Sequence, residues 1–392
     1  MVTIGGAATG STTIALNPLG GQPGVLVDGL VLVDAGAGSS ASAFTLGGVP
    51  ATAGLVGYSL AFDPANATYA LYGTPTDAAY QLVAASEGAR QVFYRGGEAW
   101  SGHMRSLRDA GAADEGRRRG SALWGQMYGS LSRTRDSRDV AAFGQVRSVR
   151  LDRKQDVYGG QIGYDLGGIG EREGSVFGVT GGYANSTLDF RGSAGRLRYE
   201  AANVGVYAGL VAGPAFVNLI GRYERLWARA VLPGAGIRQR FDGHTLGAKA
   251  EAGLRLGGER FYAEPSVSVD YARTSLDTLD LSPTTIDFDR ATGLRGSAGL
   301  RLGSTIGSGP MRTTVYLSGQ AVREFEGRAG FDFVNNGQTI GVRNDRPGTF
   351  GRATAGINVV SGARVSGFIE VNGEAGDGYR SGGGRAGLSV RF

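Results

Sequence analysis

The chain has 392 residues with 70 Gly, 11 Pro, no Cys, 41% hydrophobic residues and a formal net charge of +5. Glycine far above its usual share of about 7% but without a three-residue period excludes collagen and Pro-rich disorder, and the lack of Cys excludes disulfides, thiol catalysis and Cys-based zinc sites. No run of 18 apolar residues occurs, so no transmembrane helix is expected; only Lys154 and Lys249 are lysines among the 40 cations, and because the arginines alternate with acids and no aromatic stacking stripe accompanies them, nucleic acid is not expected as a partner.

The opening residues, MVTIGGAATG, have neither a basic n-region nor an apolar h-region and so do not form a signal peptide; an exported chain of this kind is expected to carry more sequence before Met1. Residues 1–75 contain short runs such as VLVDGLVLVDA and ATYALYG between Gly, Ala and Ser, which reads as short strands with turns. Residues 76–111 are rich in helix formers, begin at a Thr/Asp cap and end at a Gly, with Gly96 and Gly97 predicting a kink or break. A polar hinge carrying Arg117, Arg118 and Arg119 completes a 76–120 unit, and residues 121–392 form a third region of strands.

Twelve alternating segments can be marked there: 121–131, 155–166, 174–187, 197–211, 214–228, 240–255, 260–273, 288–303, 311–325, 349–360, 363–372 and 384–392. In the seventh, Phe261, Ala263, Pro265, Val267, Val269 and Tyr271 share one face against Tyr262, Glu264, Ser266, Ser268 and Asp270, although Pro265 calls for an edge or a bulge. In the fifth, Val217, Leu219 and Tyr223 oppose Asn218, Arg222 and Glu224. A soluble sandwich would alternate too. The links between segments decide for a membrane, since they run long then short along the chain, placing the long links at one end and the short turns at the other, as in an even-numbered outer-membrane barrel. Trp124, Tyr128, Tyr158, Tyr164, Tyr183, Tyr223, Trp227 and Tyr271 recur near segment ends, where interfacial girdles are expected.

The last stretch, RAGLSVRF, puts Ala386, Leu388, Val390 and Phe392 on one face and Arg385, Gly387, Ser389 and Arg391 on the other. It resembles the C-terminal assembly signal of outer-membrane proteins, with Arg385, Gly387, Val390 and Phe392 at the defined positions. Together with the first segment ALWGQMYGS and the Gly-rich, Arg-rich barrel, the chain resembles the C-terminal part of an autotransporter, a type V secretion protein, and GLVGYSLAFDPANATYALYGTP resembles the last rungs of a passenger β-helix, where the family places an autochaperone. The resemblance implies an all-β fold: a 12-stranded antiparallel transmembrane β-barrel with a pore-spanning helix. It further implies an outer-membrane location, residues 1–75 at the cell surface, and delivery of an N-terminal passenger. Expected partners are outer-membrane lipid and lipopolysaccharide, the barrel assembly machinery and the chain's own passenger, with the protein a monomer. The alternative is a surface adhesin or other binding protein that uses the barrel chiefly as an anchor.

A helix of some 35 residues would reach about 52 Å, enough to cross a hydrocarbon core of about 30 Å, and twelve strands leave a lumen able to admit one helix. Its charges Arg90, Arg95, Glu98, Arg105 and Arg108 are expected to meet lumen residues such as Arg222, Glu224, Lys249, Glu251 and Arg301. The competing reading is an amphipathic helix packed on a soluble domain. No catalytic, cofactor or metal residue is assigned: Gly382, Gly384 and Gly387 spell GxGxxG with no helix after them, His103 and His244 lie in different elements, and Asp287 and Asp289 read as solvated loop-edge acids. Some members of the family cleave themselves within the pore helix, and residues 76–120 lack the family's Asn-Asn junction for it. The Arg117–Arg119 run reads as a solvated hinge or a lipid-phosphate contact.

Replacing Phe392 with Ser, or deleting it, is expected to lower the fraction of folded barrel in the membrane, because the closing strand loses its interfacial aromatic. Heat-modifiable gel migration measures this, and an unchanged folded fraction in cells would contradict it.

Overall fold

The computed structural model describes residues 1–16, 24–47, 52–113, 120–142, 145–258, 260–307, 311–345, 348–362 and 364–392. Twelve long strands close into an antiparallel barrel: β1 (Ser121–Thr134), β2 (Arg153–Ile169), β3 (Glu173–Phe190), β4 (Arg196–Ala212), β5 (Ala215–Leu232), β6 (Ile237–Leu254), β7 (Phe261–Leu276), β8 (Ala291–Ile306), β9 (Met311–Glu326), β10 (Thr349–Ser361), β11 (Val365–Gly376) and β12 (Tyr379–Arg391). Each pairs with its chain neighbour. Closure is made by β12 on β1, in register from Tyr379 opposite Thr134 to Arg391 opposite Ala122. The Phe392 N–H then donates to the Ser121 carbonyl at 2.9 Å, so both ends of the barrel segment lie at the same rim and no strand edge is left unpaired.

The direction of the alternation identifies the surrounding solvent. Asn218, Arg222 and Glu224 face inward and are buried, whereas Val217, Leu219 and Tyr223 on the same strand face outward and are exposed. On β7 the inward Tyr262, Glu264 and Asp270 are buried and the outward Phe261, Val267, Val269 and Tyr271 are exposed. A water-soluble sandwich buries its apolar face; here the apolar face is the exposed one, as lipid requires. No helix among the described residues is long and apolar enough to cross a membrane, and the crossing is made by strands. Pro265 is accommodated inside β7 where the ladder to β6 is interrupted: β6 stops at Leu254 and pairing resumes only at Leu256–Gly257.

Two expectations need correction. Links 135–152, 277–290 and 327–348 are long, but 191–195, 233–236 and 377–378 are tight turns, because the strands extend further toward that end than their apolar alternation does. The segments read as 363–372 and 384–392 leave 373–383 between them, yet that stretch pairs as a hairpin turning at Asp377 and Gly378, with Gly376 opposite Tyr379. The long links also have structure of their own: Ser137–Ala142 and Gln145–Arg150 form a hairpin, while Leu279–Asp280, Thr284–Phe288, Arg328–Asn335 and Gln338–Asp345 form a four-stranded sheet above the barrel. Second, Trp124 and Tyr128 do not join the girdle. They point into the lumen with Gln126 and are buried, whereas Tyr158, Tyr164, Tyr183, Tyr223, Trp227 and Tyr271 are outward and exposed.

Residues before the barrel form a small all-β body and a helix. Val2–Thr3 pairs in parallel with Leu26–Asp34, and Thr12–Ala15 pairs in parallel with Phe44–Gly47, the pairing sense of stacked rungs. Antiparallel strands Val56–Asp63 and Thr68–Pro75 follow. Thr76 caps a short helix α1 (Asp77–Gln81), its hydroxyl accepting from the Ala79 N–H; after a turn at Leu82 and Val83 the long helix α2 (Ala84–Ala113) descends into the barrel.

The glycine content has a packing cause. Inward aromatic rings lie flat across the neighbouring strand, Trp124 over Gly163, Tyr207 over Gly178, Tyr262 over Gly303, Tyr316 over Gly356 and Phe368 over Gly387, and a Cβ at any of these glycines would overlap the ring. Gly303→Val should therefore displace Tyr262 and its hydrogen bond to Asp109, costing about 1–3 kcal/mol by overpacking. A lowered temperature for loss of the folded band on gels would register it, while Gly319→Ala, whose Cβ would meet nothing within 4 Å, should leave that temperature nearly unchanged.

Candidate functional site

The candidate site is the lumen, which α2 fills from the long-loop end to the short-turn end. Near the short-turn end Gly111 touches the Ile169 carbonyl so closely that a Cβ would overlap it, and the helix expected to end at this glycine runs on to Ala113. The Arg117–Arg119 run lies outside the described residues.

At the level where the helix enters, Arg90 is buried and donates to the carbonyls of Thr292 (3.1 Å), Arg328 (3.2 Å) and Gly327 (3.3 Å), with Glu324 at 3.6 Å. Arg153 spans from Glu87 on the helix to Asp136, 3.6 Å away. One turn and more below, Arg95 makes a two-pronged contact with Glu374, both bonds 2.8 Å, the geometry in which guanidinium and carboxylate bind most strongly. Glu98 accepts from Lys249 at 2.8 Å and from Arg352 at 2.7 Å. Lys249 also reaches Asp270 at 3.0 Å, and Arg352 reaches Glu374 at 2.8 Å. These contacts join the helix to β6, β7, β10 and β11 through one continuous set of opposite charges.

The lower half repeats the arrangement. Arg105 lies 3.8 Å from Glu251 and 4.0 Å from Glu370, and Arg108 lies 3.1 Å from Glu264 and 3.5 Å from Glu251. Asp109 receives Arg301 at 2.6 Å, Arg255 at 3.0 Å and the Tyr262 hydroxyl at 3.1 Å. His103 Nε2 sits 3.2 Å from both Asp165 oxygens, and its ring stacks on Trp124 with centroids 4.0 Å apart. His244, by contrast, is outside the lumen beside Tyr223.

Gly96 and Gly97 were expected to kink or break the helix, but α2 is continuous through them and the break is at Leu82–Val83. Gly96 instead admits an arginine, whereas a Cβ at Gly97 would meet its neighbours at ordinary contact distance. Arg222 lies against Gly96, where a Cβ would overlap its guanidinium, and donates to the Phe93 carbonyl at 2.9 Å; Glu224 stands 3.4 Å from the same guanidinium. Gly102 is occupied in the same way by Arg385, which donates to the Ala99 carbonyl at 3.0 Å and pairs with Glu370. Arg385 thus has a lumen contact that its position in the C-terminal motif did not reveal, Gly387 underlies the Phe368 ring, and Val390 and Phe392 point outward.

Little space remains. A cavity of ≈ 60 Å³ beside the helix, bordered by Glu98, Arg105, Glu251, Arg301 and Glu370, has room for only a few waters. The long-loop end is closed by an apolar cluster in which Tyr80, Leu82 and Val83 meet Phe241 and Leu276 of the barrel and Phe288, Phe331 and Phe333 of the loop sheet. Asn335 of that sheet accepts from the Val25 N–H at 2.9 Å, fastening the N-terminal body to the same lid. Among the described residues no group of three or more His, Asp or Glu side chains is spaced to hold a metal ion. Asp287 and Asp289 are edge acids of the loop sheet, with Thr278 donating to Asp287 at 3.2 Å and Arg343 meeting Asp289 at 2.8 Å.

No curated protein sequence matches the chain. Solved structures share its fold. The β domain of the Bordetella autotransporter BrkA is 19% identical with a TM-score of 0.55, covering 70% of this chain and 100% of that one. The transport unit of the autotransporter AIDA-I from Escherichia coli is 18% identical with a TM-score of 0.55, covering 75% and 97%. The translocator domain of the autotransporter NalP from Neisseria meningitidis is 16% identical with a TM-score of 0.50, covering 76% and 98%. The sequence model described as "Autotransporter beta-domain" matches residues 123–372, most of the barrel, and with a charged helix held in that barrel's lumen the chain belongs to the autotransporter β-domain family.

Proposed function

We propose that the barrel is an outer-membrane translocator and anchor that delivers an N-terminal passenger to the bacterial cell surface, its side chains holding the chain in place and breaking no bond. The observation that carries this reading is the path of the polypeptide. The N-terminal body meets the long-loop end through Val25, Leu55 and Val56, α2 fills the lumen, and β1 begins at the opposite, short-turn rim. Whatever precedes α2 is thereby linked to the barrel through the barrel's own interior. Outer-membrane lipid surrounds the apolar outer face, the assembly machinery reads β12, and residues 1–75 stand at the surface as the end of the passenger.

The lumen chemistry fits a plug that stays after delivery. A charged helix in an apolar lumen would lose its hydration without compensation, and here every charged level has an opposite charge to receive it. Arginine suits such pairing because it keeps its charge and binds carboxylates in a fixed fork.

Two measurements test this. A chain starting at residue 117 keeps all twelve strands and β12 but empties the lumen; in planar bilayers it should show a several-fold larger single-channel conductance than residues 1–392 and should melt lower. Unchanged conductance would remove the plug. Epitope tags inserted in links 135–152 and 327–348 should be reached by antibody on intact cells, whereas a tag at 213–214 should not, and equal labelling of all three would overturn the orientation.

A further inference from the structure

Near the long-loop rim, three neighbouring strands carry a charge pattern that differs from the paired charges of the lumen. In the ladders of β4, β5 and β6, Arg198 stands opposite Arg229 and Arg229 opposite Arg240. One level nearer the rim, Arg196 and Arg238 flank Val231. By parity all five arginines are on the outer face, with Glu200, Trp227 and Asp242 in the row below. Arg198, Arg238 and Arg240 are exposed and Arg229 half-buried. Like charges placed directly opposite in a sheet repel, so an arginine row three strands wide is costly unless something anionic covers it.

The local acids do not cover it. Asp189 pairs with Arg196, Asp242 pairs with Arg225 at 2.7 Å, and Glu200 accepts from the Tyr183 hydroxyl at 3.0 Å. Among the described residues no carboxylate lies within ion-pair distance of Arg198, Arg229, Arg238 or Arg240. An open crevice of ≈ 630 Å³ runs along the patch, lined by Asp189, Ser193, Arg196, Arg198, Arg229 and Arg238, and a second adjoins it at Arg229, Arg238 and Arg240.

Depth identifies the occupant. Below the arginines the outer face carries exposed Trp227, then Arg225 beside His244, then an apolar level of Val204, Tyr223 and Leu246, with Val206 and Leu219 further down. Arg229 follows Trp227 by two residues, so on a strand tilted 35–45° the guanidinium row stands roughly 5 Å above that ring. This is head-group depth, and the surface suited to acyl chains begins three outward levels below the arginines, at Val204, Tyr223 and Leu246. The row is about 10 Å wide across its three strands. Four unpaired guanidinium groups exceed what one phosphodiester neutralises.

We propose that this face is a binding site for an outer-leaflet glycolipid carrying two or more phosphates, with its phosphates on Arg198, Arg229, Arg238 and Arg240 and its acyl chains along the apolar rows beneath. The proposal rests on the barrel lying in the outer membrane with its long loops outside. Its test does not depend on translocation: retained glycolipid with failed passenger delivery would leave the site standing and remove the translocator reading, and the reverse result would do the opposite.

The experiment uses folded, delipidated 1–392 chain in mild detergent, titrated with bisphosphorylated lipid A and read by native mass spectrometry. Monophosphorylated lipid A, phosphatidylglycerol and inorganic phosphate serve as parallel probes. The wild-type chain should retain one bisphosphorylated glycolipid at least tenfold more tightly than the Arg198→Ala, Arg229→Ala, Arg240→Ala triple variant. It should also hold that lipid more tightly than the monophosphorylated form or phosphatidylglycerol, and millimolar phosphate should not displace it. Replacing the same three residues with Lys preserves charge and keeps the test usable should the Ala triple misfold; it should retain most of the binding. Arg273→Ala with Arg323→Ala, which removes two outward arginines elsewhere on this rim, should leave binding unchanged. Equal retention by wild type and the Ala triple, equal binding of phosphatidylglycerol, or full displacement by inorganic phosphate would each overturn the proposal.

Discussion

Arg301 and Asp109 meet at 2.6 Å with almost no access to water, and pairs of this kind set the terms for the rest of the molecule. A barrel surrounded by lipid must turn its polar face inward, which leaves twelve strands' worth of arginines and carboxylates around a narrow space. Water alone would solvate them if the lumen were empty. Once α2 enters, most of that water is gone, and an unpaired charge would be strongly destabilising. The helix therefore has to bring the matching charge at each level, and the glycines have to clear the path.

This explains why the helix looks poor by propensity. Gly96, Gly97 and Gly102 each weaken an isolated helix. In the lumen, Gly96 and Gly102 lie where Arg222 and Arg385 reach backbone carbonyls. The cost in helix propensity is offset by guanidinium hydrogen bonds that a side chain at those positions would block. The same trade between side-chain volume and close approach recurs in the barrel wall, where an aromatic ring occupies the space above a glycine.

Much of the fold was legible because period-two alternation is local: each strand reports its own two faces without reference to any other part of the chain. Trp124 and Tyr128 show where a looser criterion failed. Their parity, shared with Gln126, placed them inside, but proximity to a strand end suggested a girdle. The lumen was legible only in kind. Arg222, Glu224, Lys249, Glu251 and Arg301 all face inward, yet nothing local tells Arg95 that its partner is Glu374, because that contact depends on the rotation and depth of the helix inside the closed barrel. Glu264 is legible on the polar face of its segment but, like Arg352 and Glu370, has no helix partner assigned there for the same reason, and Glu374 falls beyond the segment read as 363–372, whereas β11 runs on to Gly376. In the loop sheet two of the three pairings are local hairpins, one of them turning at Asn336-Gly337, and only the pairing of Thr284–Phe288 with Arg328–Asn335 joins links far apart in sequence and could not be read locally.

The aromatic rings seated on glycines also bear on how the wall assembles. Each ring and its glycine sit on adjacent strands, so the seat exists only when those strands are paired at the observed offset. A slip of one residue turns the ring outward, and a slip of two sets it against a position that in general carries a side chain. Tyr262 on Gly303, Tyr316 on Gly356 and Phe368 on Gly387 therefore act as a sequence of alignment checks spaced around the circumference. Strand pairs that have zipped incorrectly leave a large ring without a place to lie, which keeps them open to rearrangement until the offset is right.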